Sequence, residues 1–167
     1  TDDWWLKTKL MKQVFIIRKY RNCKIIYSNW FIYNDLKKTK KIFNSTGLPF
    51  GKVSQKLLNN YELNIGTMML KKNLFAEYKF NDAYEIIGDF DLFIILILKY
   101  KFYVIQERLA YYRIHKENFS RNVNLHAAEL NKWISKNKNN LLKKNINIKN
   151  QQIYLFKLKF KSLLNLN

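Results

Sequence analysis

Acidic residues are scarce in this chain. Against 31 lysines and arginines stand only 12 aspartates and glutamates, which leaves a formal net charge of +19. Cysteine is scarcer still: Cys23 is alone, which excludes an internal disulfide and permits a reducing compartment. With 2 histidines and that single cysteine, the chain is poorly equipped for a zinc site of the Cys/His type. No stretch reads as a signal peptide. Long apolar runs are missing as well. The longest, Leu92–Leu98 (LFIILIL), is far short of the roughly 20 residues needed to span a bilayer, so it reads as a core element.

What the chain does have is apolar and aromatic material. Of its 167 residues 48% are hydrophobic, with 11 tyrosines, 12 phenylalanines and 4 tryptophans, enough to build the core of one domain and to argue against disorder. The positive charge admits nucleic acid, an anionic membrane surface or a phosphate-bearing substrate as partner. It also admits a plain compositional origin, because Lys, Asn and Ile are all abundant, as an AT-rich coding bias would make them. The basic residues are spread along the chain, as in Lys37–Lys41 (KKTKK), Lys71–Lys72 and Lys143–Lys144. No compact RNA- or DNA-binding motif accompanies them, so no nucleic acid is expected.

Patterning suggests the elements. Leu6, Leu10, Val14 and Ile17 recur at helical spacing and predict a helix from about Trp5 to Tyr20. Lys24–Tyr33 (KIIYSNWFIY) is β-branched and aromatic and reads as a strand. Asn34–Gly51 is polar and basic, carries the only proline (Pro49) and reads as a loop. Lys52–Asn60 reads as a short helix with Val53, Leu57 and Leu58 inward. Asn64–Lys71 (NIGTMMLK) reads as a second strand and Phe75–Ile87 as irregular. Gly88 opens a largely buried helix marked by Phe93, Leu96, Ile97 and Tyr100. Phe102–Ile105 is a third strand, and Glu107–His115 (ERLAYYRIH) leads into a polar segment. After Asn124 the composition shifts to Leu, Ile, Lys and Asn without Gly or Pro, which predicts helix. The expected organisation is therefore residues 1–124 as one catalytic-type portion and 125–167 as a helical extension. Strands alternating with helices imply an α/β fold. Three strands are few for so apolar a helix, which suggests a domain whose first part lies elsewhere.

Three groups of residues carry chemistry. Asp2 and Asp3 stand directly before Trp4 and Trp5, whose indoles belong inside a fold. Adjacent carboxylates in extended chain point to different sides, so one can face a divalent cation and the other a sugar hydroxyl. Mg²⁺ uses one or two protein carboxylates and draws its other ligands from phosphate and water. The competing reading makes Asp3 a helix cap. Gly88-Asp89-Phe90-Asp91 places two acids in the first turn of an apolar helix. Capping or the helix dipole needs only one of them, and the other is available as a base. Tyr112-Arg113-Ile114-His115 puts a guanidinium and an imidazole two residues apart. Arginine suits a diphosphate and neutral imidazole suits a metal, although a lone histidine can equally be structural.

In order, TDDWW, LMKQV, IIYSN, LPFGKVSQKLL, TMMLKKNLF, IIGDFDLFIIL and ERLAYYRIHKENFS resemble the second half of an inverting family 2 glycosyltransferase with the GT-A fold. The resemblance runs from Thr1 to about Ser120. It implies transfer of a sugar from a nucleoside-diphosphate sugar to a hydroxyl of a glycan or lipid-linked acceptor, with inversion. It places the catalytic base at Asp89, Mg²⁺ or Mn²⁺ on Asp3 with His115, and the donor near Asp2 and Arg113. Gly88 and Asp91 fall on the acceptor side or at the helix cap. It also implies that TDDWW is an interior stretch, that the strands holding the nucleotide base precede it, and that these 167 residues alone would not transfer sugar. Nucleotide sugars are cytoplasmic, so the expected location is the cytoplasm, and a membrane-surface tail would make it peripheral on the inner face of the cell membrane. Two positions depart from the pattern. Gly88 replaces a frequent acid, and Ile95 stands where many members carry arginine.

Two other functions compete with this one: a non-catalytic glycosyltransferase-like scaffold, and a basic nucleic-acid-binding module, which the paired acids oppose. The tail reads either as a scaffold helix pair or as a membrane-surface element. Ile153, Leu155, Phe156, Leu158, Phe160, Leu163 and Leu164 mix there with Lys157, Lys159 and Lys161, which suits an anionic leaflet. The alternation from Leu155 to Lys161 fits a strand better than a helix.

Overall fold

A computed structural model of the chain describes residues 3–44, 46–52, 54–118 and 121–164. Among them it is an α/β protein, with a five-stranded mixed sheet and six α-helices. The chain forms two compact units. The first is Thr1–Val53, Glu62–Tyr78 and Ile97–Lys116, and the second is Ser54–Tyr61, Lys79–Leu96 and Glu117–Asn167.

The first unit holds the sheet. Its centre is β2 (Ile25–Asn34), the β-branched and aromatic run expected to be a strand. Beside it lies β5 (Phe102–Ile114), parallel to β2 from the pair Ile25–Phe102 to the pair Asn34–Ile114. The register shifts around Ser28–Trp30, where β5 bulges. Gln106, on the bulge, accepts a hydrogen bond from the Leu48 N–H at 2.8 Å and returns one to the Leu48 carbonyl at 2.9 Å. This side-chain amide pins the proline-bearing loop to the sheet. β5 is far longer than Phe102–Ile105, because its second half, ERLAYYRI, finds a ten-residue partner in β2.

Three short strands complete the sheet, all antiparallel. β1 (Trp4–Trp5) pairs with β5, while β3 (Thr39–Ile42) and β4 (Met69–Leu70) share the edge of β2 opposite β5. The segment read as one loop, Asn34–Gly51, thus contains a hairpin strand. Its turn is closed by the Asn34 side chain accepting from the Lys37 N–H at 3.0 Å, with Lys38 at φ 48°. The second strand expected at Asn64–Lys71 is a 3-10 turn, Ile65–Thr67, followed by the two residues of β4. The segment expected to be irregular starts inside a helix, α3 (Lys72–Glu77).

The helix expected from Trp5 starts later, as α1 (Lys9–Lys19), because Trp4 and Trp5 are taken by β1. Its buried face is also different from the expected one. Leu10 is exposed, while Lys9 and Gln13 are fully buried. Lys9 Nζ donates to Gln13 Oε1 at 2.9 Å and lies 4.0 Å from the centre of the Trp5 ring, and Gln13 Nε2 donates to the Thr67 carbonyl at 2.7 Å. The leucine spacing misleads because polar contacts with the 3-10 turn set the helix's rotation. Ile16 and Ile17, one turn on, join Cys23, Ile26 and Tyr103 in an apolar cluster.

Burial pushes the Lys9 ammonium down from 10.5 to about 8. Below pH 8 both folded and unfolded chains carry the charge, and the fold bears its desolvation. Between about 8 and 10.5 the folded state releases its proton first, so stability rises with pH. Lys9→Met is expected to stabilise the protein by roughly 1–3 kcal/mol at pH 7, and the gain should vanish near pH 10.5. Urea unfolding of both proteins at the two pH values checks it, and a variant weaker than the parent at pH 7 contradicts it.

The second unit is helical. α2 (Ser54–Asn59) buries Leu57 and Leu58 fully, as expected of its inward face, while Val53 lies outside the described residues. α4 (Gly88–Lys99) starts at Gly88 as its sequence signals predict, and passes into the first unit at Ile97. In the run Leu92–Ile97 only Ile95 is exposed. α5 (Val123–Lys143) and α6 (Lys149–Leu163) form the extension. α6 is helix where alternation suggested strand. Leu155 and Leu158 stand three residues apart, and both are buried on one helical face. No helix among the described residues is long and apolar enough to cross a membrane.

Candidate functional site

In the first unit the ends of β1, β2 and β5 gather four of the polar side chains. Pairing of Trp4 with Tyr111 and of Trp5 with Ala110 sets the register of β1. Trp4 stacks on the Tyr111 ring at 4.7 Å and meets Tyr33 edge-on at 5.6 Å. Both tryptophans are substantially exposed, Trp4 at 40% and Trp5 at 51%, contrary to the burial expected of them. They cover the sheet's flank instead of filling its core.

Asp3 is not a helix cap, since the residue before α1 is Thr8. Its Oδ1 accepts the Arg113 N–H at 2.9 Å, extending the β1–β5 ladder by a side chain. Its Oδ2 faces Gly66, where an added Cβ would lie 3.4 Å away and only 3.0 Å from Asn64 Oδ1. A side chain at position 66 would therefore crowd Asn64 and press against the carboxylate. The Arg113 guanidinium donates to Asp35 Oδ2 at 2.6 Å, and Lys38 Nζ donates to Asp35 Oδ1 at 2.8 Å. Lys38 and Arg113 together hold the Asp35 carboxyl below its ordinary range. His115 follows β5 directly and is half-buried. The sheet thus brings Asp3, Arg113 and His115 to one end. Asp2 lies outside the described residues.

Among the described residues no three His, Cys, Asp or Glu side chains are arranged to hold a metal ion. The candidate donors toward this end are the Asp3 carboxylate and the His115 imidazole, both of which also make contacts within the protein. Such a pair suits an ion which takes one or two protein ligands and completes its shell with phosphate oxygens and water. It does not suit an all-protein cage.

In the second unit the two acids of α4 have separate environments. Asp91 is buried. Its Oδ1 accepts the Trp133 indole N–H at 2.8 Å and its Oδ2 accepts from Asn81 Nδ2 at 3.4 Å, so Asp91 bonds side chains of the core instead of capping the helix. Asp89, half-buried, accepts the Phe90 N–H at 2.7 Å. Burial raises its carboxyl above the ordinary range, against the lowering effect of the backbone N–H groups of Phe90 and Asp89. Gly88 is in ordinary contact range of the Phe80 ring, 3.9 Å from where a Cβ would stand, so space does not demand glycine there.

Glu129, which the sequence reading passed over, does the work expected of a capping acid. From α5 it accepts the N–H groups of Glu85, Ile86 and Ile87 at 2.7, 3.0 and 3.1 Å. The signal was present, since Glu129 is the only acid after Glu117 and sits among apolar neighbours. Tyr61 was also missed. Its ring meets Phe90 edge-on at 5.0 Å, and its buried hydroxyl has no hydrogen-bond partner among the described residues. Burial, and secondarily the Asp89 charge, push its phenol well above 10. No protein-family model matches the chain, and no curated protein matches it.

Proposed function

We propose that the protein is an inverting glycosyltransferase of the GT-A type that moves a sugar from a nucleoside-diphosphate sugar to the hydroxyl of a glycan or lipid-linked acceptor. The observation that carries this reading is the division of labour in α4. Glu129 serves the backbone before the helix, Asp91 is tied to Trp133, and Asp89 is left half-buried with a raised carboxyl. An acid that its neighbours relieve of structural duty, in a partly buried place that raises its carboxyl, is what a general base requires.

In the proposed reaction Asp89 takes the proton of the acceptor hydroxyl as its oxygen attacks the anomeric carbon. The bond from that carbon to the diphosphate oxygen breaks on the opposite face, and the nucleoside diphosphate leaves. Arg113, its guanidinium fixed by Asp35, supplies positive charge toward the diphosphate. Asp3 and His115 are the residues that would hold Mg²⁺ or Mn²⁺. Such an ion, when bound, neutralises the departing diphosphate. The cytoplasm, where nucleotide sugars are available, is the location that goes with this function.

Asp3→Ala tests the donor side. Titrating the natural full-length protein with uridine diphosphate in Mn²⁺ by calorimetry should show affinity at least tenfold weaker for the variant, with little difference when Mn²⁺ is omitted. Identical titrations with the ion present would remove Asp3 from this role.

A further inference from the structure

α6 is apolar on two opposite faces. One face, with Leu155 and Leu158, is buried in the second unit, where Gln151 also donates to the Leu58 carbonyl. The other face is open. Ile153, Phe156, Phe160 and Leu163 follow at spacings of three, four and three residues, which is one stripe along a helix. Their exposures are 44, 70, 56 and 82%, and Leu164 beside them is 51% exposed. Packed helices of a water-soluble surface do not usually present two phenylalanines and a leucine in line.

Charge narrows what can cover this stripe. At 100° per residue, Lys157 and Lys161 project on one side of it and Lys159 on the other. All three are exposed. Residues 130–167 contain nine lysines and no acidic residue. A second copy of the chain docked through the same stripe would set lysine against lysine with no carboxylate there to relieve it. A nucleic acid would engage the lysines but leave Leu163 and Ile153 without a reason to be exposed. A bilayer with anionic headgroups satisfies both features, because acyl chains receive the stripe while the lysines extend to the phosphate level.

We propose that α6 is an interfacial helix, lying in the plane of an anionic membrane with Ile153, Phe156, Phe160 and Leu163 inserted and Lys157, Lys159 and Lys161 on the headgroups. The proposal is independent of sugar transfer. The helix is about 22 Å long at 1.5 Å per residue, which lets all four apolar side chains enter one leaflet together.

The test is flotation of the full chain with vesicles of phosphatidylcholine alone or with about a third phosphatidylserine. The protein should float with the anionic vesicles and remain largely free of the neutral ones. Phe156→Ser with Phe160→Ser should reduce the bound fraction at least tenfold. Lys157→Gln, Lys159→Gln and Lys161→Gln together should do the same at 0.1 M salt. All five positions are exposed, and unchanged far-UV circular dichroism confirms that each variant folds. Three outcomes overturn the proposal. The first is no binding to either vesicle. The second is binding that the lysine changes abolish but the phenylalanine changes leave intact, the behaviour of a polycation that a nucleic acid would serve equally well. The third is a dimer in light scattering that the phenylalanine changes dissolve while vesicle binding persists.

Discussion

Asp89→Asn is expected to slow sugar transfer by the natural full-length protein by about 10²–10⁴-fold, the contribution of a positioned general base, while donor affinity changes little. The same substitution should leave the fold at least as stable as before. Burial raises the Asp89 carboxyl, so the folded protein holds that proton to a higher pH than the unfolded chain does. By linkage the fold is penalised above this raised value, where the carboxylate is charged in both states and half-buried in one. Asparagine removes the charge and keeps a carbonyl oxygen for the Phe90 N–H. An acid whose main duty were capping would behave oppositely and lose stability. The pH profile gives a further check. A base must be ionised to accept a proton, so the rate should fall as pH drops through a value above that of an ordinary carboxylate. Near-parental turnover, or a stability loss matching the rate loss, would remove Asp89 from catalysis.

Glu129→Ala is expected to carry the largest stability cost, about 3–9 kcal/mol from three N–H groups stripped of one acceptor at about 1–3 kcal/mol each. The Glu129 side chain is buried, so water cannot simply replace it. Against a typical total of about 5–15 kcal/mol, such a loss would unfold much of the protein near physiological temperature. Glu129→Gln keeps one carbonyl acceptor and should cost less than half as much. Urea unfolding of the three proteins measures both. An alanine variant within about 1 kcal/mol of the parent, the low end of the loss of one buried N–H partner, would show that the N–H groups of residues 85–87 find other partners.

The contrast between Asp89 and Glu129 shows what a linear reading can reach. The start of α4 was legible, because glycine, two acids and an apolar run are local signals. So were β2, the inward leucines of α2 and the helical tail. Pairings that depend on distant chain were not. Trp4 and Trp5 become a strand only because Tyr111 and Ala110 are opposite them, and the full extent of β5 appears only beside β2. Glu129 reaches back more than 40 residues to its three N–H groups. Lys9 and Gln13 defeat the hydrophobic pattern of α1, because a buried polar pair held by Thr67 replaces the leucine face. At the candidate site, Asp3, Arg113 and His115 were identifiable as residue types. Their meeting at one sheet end, and the part Asp35 plays there, depend on strand order.

The bulge in β5 has a consequence for that meeting. Between the pairs Ser28–Ile105 and Trp30–Ala110, β5 uses three more residues than β2. An uninterrupted ladder would carry Arg113 three positions further, opposite Leu36 and past the end of β2. The slack absorbs about 10 Å of chain, at about 3.3 Å per residue, and retracts the guanidinium to the level of Tyr33, within reach of Asp35. The detour around Gln106 therefore acts as a length adjuster: it measures out β5 so that its cationic end stops beside its carboxylate neighbours.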